Sequence, residues 1–265
     1  MSSIDWQQQT ILLTGASGGL GRELVRQLST RGARVIMIAR QRATLQTLGK
    51  TYGQPWFALD LNATDAVQQL SDYLSTQNLR VTGLINNAGQ SSTGTFASRN
   101  AATIEQLLST NLIVPIQLTH ALLPQLQQQQ GWVLNIGSVF GAIGYPGQTL
   151  YCASKFGLHG FTQALARELA GTGVKVLYAA PRAIATDMNQ GLMAAMNERL
   201  GSTADKPATV AEQLLKQIEQ QRPEQTLGWP EKLFVKINGA FPQWVAASMR
   251  KPQRLLFELT QEKRT

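Results

Sequence analysis

The stretch Thr10-Ile-Leu-Leu-Thr-Gly-Ala-Ser-Gly-Gly-Leu-Gly21 decides the fold. Thr10 to Thr14 form a short apolar run stopped by glycine, the pattern of a strand buried on both faces. Leu20, Leu24, Val25 and Leu28 then recur at helical spacing over 19–31. A glycine-rich turn between such a strand and helix is built for a phosphate. Gly15 permits the tight turn, Gly19 lets backbone approach a pyrophosphate, and Gly21 lets the helix pack close to the strand. The helix N-terminus adds free amides and a favourable dipole.

Working outward, the alternation repeats. Further strands are expected at 34–39, 55–60, 81–86, 132–137, 174–180 and 226–229. Helices are expected at 41–51, 64–77, 149–170 and 208–221, with two more over 101–128. Short apolar strands alternating with helices imply an α/β fold, a doubly wound parallel sheet covered on both faces. Ligands in such sheets bind at the carboxyl ends of the strands, near the switch point. No repeat and no long linker divides residues 1–265, so one domain is expected.

Composition narrows the class. Apolar residues make up 43% of 265, enough for a sizeable core. The net charge of +8 comes from 24 basic and 16 acidic residues. The basic residues are scattered, which points to solubility and an anionic cofactor, carrier or lipid rather than nucleic acid. Cys152 is the one cysteine, so no intrachain disulfide can form. A cytoplasmic location fits that, and Cys152 itself reads as a small packing residue. The first residues have neither a basic nor an apolar signal region, and no run of 18 apolar residues suggests a membrane span.

The chemistry lies in Tyr151-Cys-Ala-Ser-Lys155, with Ser138 thirteen residues upstream. Residues four apart share a helix face, so Lys155 projects beside Tyr151. A free phenol titrates at about 10. A neighbouring cation favours phenolate and is expected to draw that value toward neutrality. Ser138, placed opposite, can donate a hydrogen bond to an oxygen on which charge develops. The pattern describes hydride exchange between a nicotinamide and a carbonyl carbon, with tyrosine handling the proton. The second strand ends Met37-Ile38-Ala39-Arg40-Gln41-Arg42, without the carboxylate that holds a ribose 2′-hydroxyl. Arg40 is placed to pair with a 2′-phosphate, which favours NADP(H).

With these motifs in hand, the chain resembles the short-chain dehydrogenase/reductase family over roughly residues 9–190. The residues that carry the resemblance are Thr14-Gly-Ala-Ser-Gly-Gly-Leu-Gly21, Asp60-Leu61, Asn86-Asn-Ala-Gly89, Asn111, Ser138, Tyr151, Lys155, Pro181 and Thr186. The resemblance implies a Rossmann-type sheet of about seven strands and a catalytic tetrad of Asn111, Ser138, Tyr151 and Lys155. Tyr151 is then the acid/base, and Lys155 also holds the nicotinamide ribose. Ser138 steadies the substrate oxygen, and Asn111 positions a water in a proton relay. It further implies cofactor contacts from Thr14, Gly15, Ser17, Gly19, Leu20, Gly21, Arg40, Asp60, Leu61, Asn87, Ala88, Gly89, Pro181, Ile184 and Thr186. Members of this kind act as homodimers or homotetramers.

Three features are the chain's own. Arg182 stands where the family has glycine; it either meets an anionic substrate group or points to water. Residues 187–205, rich in methionine, sit where a mobile segment covers the substrate. The extension 229–265 sets Trp229, Leu233, Phe234, Ile237, Phe241, Trp244, Val245 and Met249 among Lys232, Lys236, Arg250, Lys251 and Arg254, with Pro242 expected to break the helix. It can pack within the protein or a second subunit, cap a lipophilic pocket, or touch a membrane peripherally. The expected function is NADPH-dependent reduction of a small-molecule or lipid-like carbonyl, reversible as an alcohol dehydrogenase. A reductase of carrier-bound 3-oxoacyl groups is one alternative, and a non-catalytic NADP-binding regulator another.

Overall fold

In a computed structural model, which describes residues 4–262, seven parallel strands form one sheet. Met1–Ser3 and the last three residues of the C-terminal extension lie outside that range. The strands are β1 (Thr10–Thr14), β2 (Arg34–Ala39), β3 (Trp56–Ala58), β4 (Gly83–Asn86), β5 (Trp132–Ile136), β6 (Lys175–Ala180) and β7 (Glu224–Thr226). Their order, β3-β2-β1-β4-β5-β6-β7, reverses direction between β1 and β4. This is the doubly wound Rossmann-type sheet the alternation implies.

Side-chain parity along the strands builds the two layers of core. Ile11 and Leu13 point to one face, where they meet Leu20, Leu24 and Leu28 of α1 (Gly19–Thr30). Val210, Leu214 and Ile218 of α8 (Pro207–Glu219) complete that face. Leu12, Ile36 and Leu84 point to the other, against α3 (Ala66–Thr76) and α5 (Val114–Gln128). Each such side chain fully buried contributes roughly 1.5–3 kcal/mol against the entropy of ordering the chain. Helix α2 (Arg42–Tyr52) ends at Gly53, whose φ of 64° is left-handed.

Two elements differ from expectation. The pair of helices over 101–128 is one helical run: α4 (Ala101–Leu108) passes through a π-turn, Ser109–Ile113, into α5. Ala101–Gln128 is therefore long and apolar enough to cross a membrane by length and composition. Leu107, Leu118, Leu122 and Leu126 are nevertheless buried, the last three in the second core layer. It packs as a core helix of the second layer. The last strand lies at 224–226 rather than 226–229, because Gly228 adopts φ 93° and Pro230 lacks an amide to pair.

Helix α6 (Thr149–Glu168) carries Tyr151 and Lys155. The 187–205 segment holds a short 3₁₀ turn and α7 (Leu192–Leu200). The C-terminal extension forms α9 (Glu231–Ala240), α10 (Pro242–Ser248) and α11 (Arg250–Glu262), broken at Pro242 as expected. Leu256 and Leu259 of α11 pack with Met196 of α7, and Arg199 pairs with Glu262 at 3.0 Å.

Candidate active site

The predicted residues converge at the carboxyl ends of the strands. Thr14 ends β1, and Arg40, Asp60, Asn87, Ser138 and Pro181 follow β2 to β6 in turn. The centre is the switch point between β1 and β4. There the Thr14 hydroxyl accepts from the Asn87 and Ala88 amides at 3.0 Å, and the Asn87 side chain donates to Thr14 O and Gly15 O. Thr14 and Asn87 thus shape the cleft by binding each other's backbone.

The glycine turn fits a pyrophosphate. Gly15 has φ 65°, and a Cβ on Gly21 would stand 2.1 Å from Gly15 O, so the helix can start only against bare backbone. Gly18 gives α1 no side-chain cap, and Gly18 and Gly19 are exposed. The first amides of α1 therefore remain available to an anion. A Cβ on Gly19 would meet Thr186 Cγ2 at 2.8 Å, which places Thr186 directly across the turn. Arg40 is exposed at the end of β2 with no acidic partner among the described residues. Asp60 accepts from the Asn62 amide in an Asx turn, and Leu61 beside it packs on the second core layer. Ile184 O accepts from Thr186 N and from the Asn189 side chain. Ser17, Leu20, Gly89 and Pro181 occupy the same end of the sheet.

Two of the four expected catalytic residues, Asn111 and Lys155, meet at Gly89. A Cβ there would lie 3.5 Å from Asn111 Oδ1 and 3.8 Å from Lys155 Nζ. Ser138 and Lys155 are buried, and Ser138 lies near enough to the Tyr151 phenol to favour its ionised form. Ser138 Oγ also accepts from the Phe140 amide at 3.2 Å. Phe140 meets Tyr151 edge-on at 6.4 Å.

Electrostatics here differ from the reading of Tyr151-x-x-x-Lys155. Burial pushes the Tyr151 phenol up to about 12, and Ser138 offsets this only in part. Burial also lowers the Lys155 ammonium to about 8. Lys155 Nζ donates to Ile136 O at 2.9 Å and stands 5.7 Å from the Tyr151 ring centroid. Desolvation opposes charge on both groups. In this state Tyr151 is a neutral phenol, the form that can give a proton.

Asn111 lies in the π-turn, and such turns mark functional sites. Its Oδ1 accepts from Gln90 N at 2.8 Å, while its Nδ2 donates to Gln90 O at 2.9 Å and to Ser154 Oγ at 3.1 Å. The amide side chain clamps the Gln90 backbone.

The sequence did not single out several supports. Gln90 and Asn62 both donate to the Thr110 hydroxyl, linking the loop after β3 to the π-turn. Tyr178, buried in β6, sits beneath Ser138; Cβ atoms on Gly137 or Gly141 would fall 2.1–2.2 Å from its hydroxyl. The spacing Gly137-Ser-Val-Phe-Gly141 is the one sequence signal for it. Gln148 donates to the Thr93 hydroxyl at 2.7 Å and accepts from Ser91, closing the loop over α6. Arg182, rather than pointing free into water, forms a two-point ion pair with Asp205.

Residues 9–197 match the family described as short chain dehydrogenase. The chain is similar to 3-oxoacyl-(acyl-carrier-protein) reductase FabG of Haemophilus influenzae, 34% identical over 189 residues, 70% of this chain and 78% of that protein. The Escherichia coli enzyme of the same name is 33% identical over 208 residues, 77% and 84% of the two chains. Among solved structures, a short-chain dehydrogenase from Streptomyces avermitilis superposes with TM-score 0.78 at 26% identity, covering 91% of this chain and 97% of that one. A short-chain dehydrogenase from Sphingobium yanoikuyae in complex with NADPH gives 0.74 at 25%, covering 91% and 96%.

Proposed function

The chain belongs to the short-chain dehydrogenase family, and from that premise we propose an NADPH-dependent reductase that converts a ketone or aldehyde to its alcohol. The observation that carries this reading is the Ser138–Tyr151–Lys155 cluster with its phenol held neutral. When bound, NADPH supplies hydride to the carbonyl carbon. As charge develops on the carbonyl oxygen, the Ser138 hydroxyl donates to it and Tyr151 gives it a proton. Lys155 lies where it can stabilise the phenolate that remains and hold a ribose hydroxyl. Asn111 acts by fixing Gln90 and with it the wall of the cleft; a proton relay toward solvent starts on that side. The first amides of α1 take the pyrophosphate, and Arg40 takes the 2′-phosphate.

The rest of the reading concerns substrate and assembly. Residues 187–205 cover the substrate, and α7 rests on α11 to do so. The FabG relatives favour carrier-bound 3-oxoacyl groups as a substrate class, alongside simple ketones. Ile113 and Phe156, both 44% exposed, offer apolar surface for a homodimer or homotetramer, in a cytoplasmic enzyme whose C-terminal extension can touch a membrane. An intact tetrad argues against a purely regulatory role. A panel of ketones, aldehydes and 3-oxoacyl thioesters, followed by loss of NADPH absorbance, tests the proposal. Turnover of at least one class is expected; NADPH binding without turnover of any would favour the regulator.

A further inference from the structure

We propose that the outer face of α9 and α10 docks on an anionic phospholipid surface. This rests on the reductase reading and deepens it, because it would bring the site to lipophilic carbonyl substrates. Helix α9 has no buried residue, although Leu233, Phe234 and Ile237 share one of its faces. Phe241 and Trp244 continue that surface, stacked at 4.9 Å and 55% and 68% exposed. Trp229, at the head of α9, is 67% exposed. Lys232, Lys236, Arg250, Lys251 and Arg254 lie exposed among them, none with an acidic partner among the described residues. Between 229 and 257 the one acid is Glu231, which faces Arg182.

Charge selects the occupant. A second copy of this chain meeting the patch across a two-fold axis would set five cations against the same five. An anionic bilayer complements them, and its headgroup boundary suits tryptophan and phenylalanine between lysines and arginines. The inner side of this extension adjoins the site. Asn238 of α9 donates to Ala142 O at 2.8 Å, just past Ser138. A cavity of about 280 Å³ between Phe96, Met249, Leu256 and Phe257 reaches Thr149, two residues before Tyr151. That cavity lies against α6, the helix that carries Tyr151 and Lys155.

The test is co-flotation of the full chain with phosphatidylglycerol/phosphatidylethanolamine vesicles and with pure phosphatidylcholine vesicles. Binding to the anionic vesicles is expected, weakened about tenfold or more in phosphatidylcholine or at high salt. Trp244→Ser with Phe241→Ser, and separately Lys232→Glu with Lys236→Glu, should each weaken it about tenfold. Both variants should keep NADPH-dependent turnover of a small water-soluble ketone, which shows that they fold. No flotation of the wild-type chain, or flotation unchanged in both variants, overturns the proposal. A mass by light scattering that halves in the Trp244 variant overturns it in favour of a second copy. Capture by an acidic acyl-carrier protein without vesicle binding overturns it in favour of that partner. Turnover measured without vesicles tests the reductase reading separately from the surface.

Discussion

Arg182 and Asp205 join the end of β6 to the end of the 187–205 segment, with Nε and Nη2 2.9 and 2.6 Å from the two carboxylate oxygens. The same arginine donates to Trp229 O at 3.2 Å, at the start of the C-terminal extension. Backbone bonds Ala185 N to Asp205 O and Asp205 N to Ala183 O run beside the pair. One side chain thus fixes both ends of the 187–205 segment and the root of α9.

Arg182→Ala should therefore lower stability by about 1–2 kcal/mol, since it leaves a partly buried carboxylate unpaired. It should also raise KM more than it lowers kcat, because the segment loses its fixed end. Asp205→Ala should do the same, and the double variant should cost little more than either single one. Urea unfolding and steady-state kinetics on the four proteins check this; additive losses would contradict it.

Lys155 sets an upper pH limb. Its value is lowered to about 8, so the ammonium is present below that pH and lost above it. Tyr151, raised to about 12, stays protonated throughout. Reduction should fall as pH rises through about 8, and Lys155→Arg should move or abolish that limb because arginine keeps its charge. The pH profile of kcat/KM for both proteins is the measurement. A wild-type profile flat to pH 10 would contradict the assignment.

Much of this was legible in the chain. Strands β1 and β2 fall where the apolar runs of Thr10–Thr14 and Arg34–Ala39 place them, because parallel strands buried on both faces need no partner information to be recognised. Edge strand β7, Glu-Gln-Thr, lacks that pattern and was displaced. The pairing of Arg182 with Asp205 spans 23 residues, and no local pattern encodes it. The Tyr151 pKa moved against expectation for a similar reason. Helical spacing reveals that two groups are neighbours, while the burial that sets their charge comes from Ser138, Phe140 and the sheet end. The extension read as one apolar stripe; the fold divides it into a buried side, Val245, Leu256 and Leu259, and an exposed one.

Arg40→Asp should shift preference toward NADH. It removes the cation suited to a 2′-phosphate and adds a charge that repels it. Titration of both cofactors against the wild-type and variant proteins should give NADPH the tighter binding in the first and a reversed or abolished preference in the second. Equal wild-type affinities would contradict the role of Arg40.

Asn111→Asp keeps an acceptor for Gln90 N but turns the donor aimed at Gln90 O and Ser154 into a second oxygen. The clamp should fail at a cost of about 1–3 kcal/mol, the penalty for an unpaired buried polar group. Turnover should drop more than NADPH affinity. Thermal melts and cofactor titration on the variant separate these effects, and wild-type stability with wild-type turnover would contradict the clamp.

Tyr151→Phe tests the central claim most directly, because it removes one hydroxyl and leaves the ring against Phe140. With a ketone that the wild-type protein turns over, the variant should bind NADPH nearly as tightly while kcat falls by about 10²–10⁴-fold. A variant that still reduces the ketone at the wild-type rate would contradict proton donation by Tyr151.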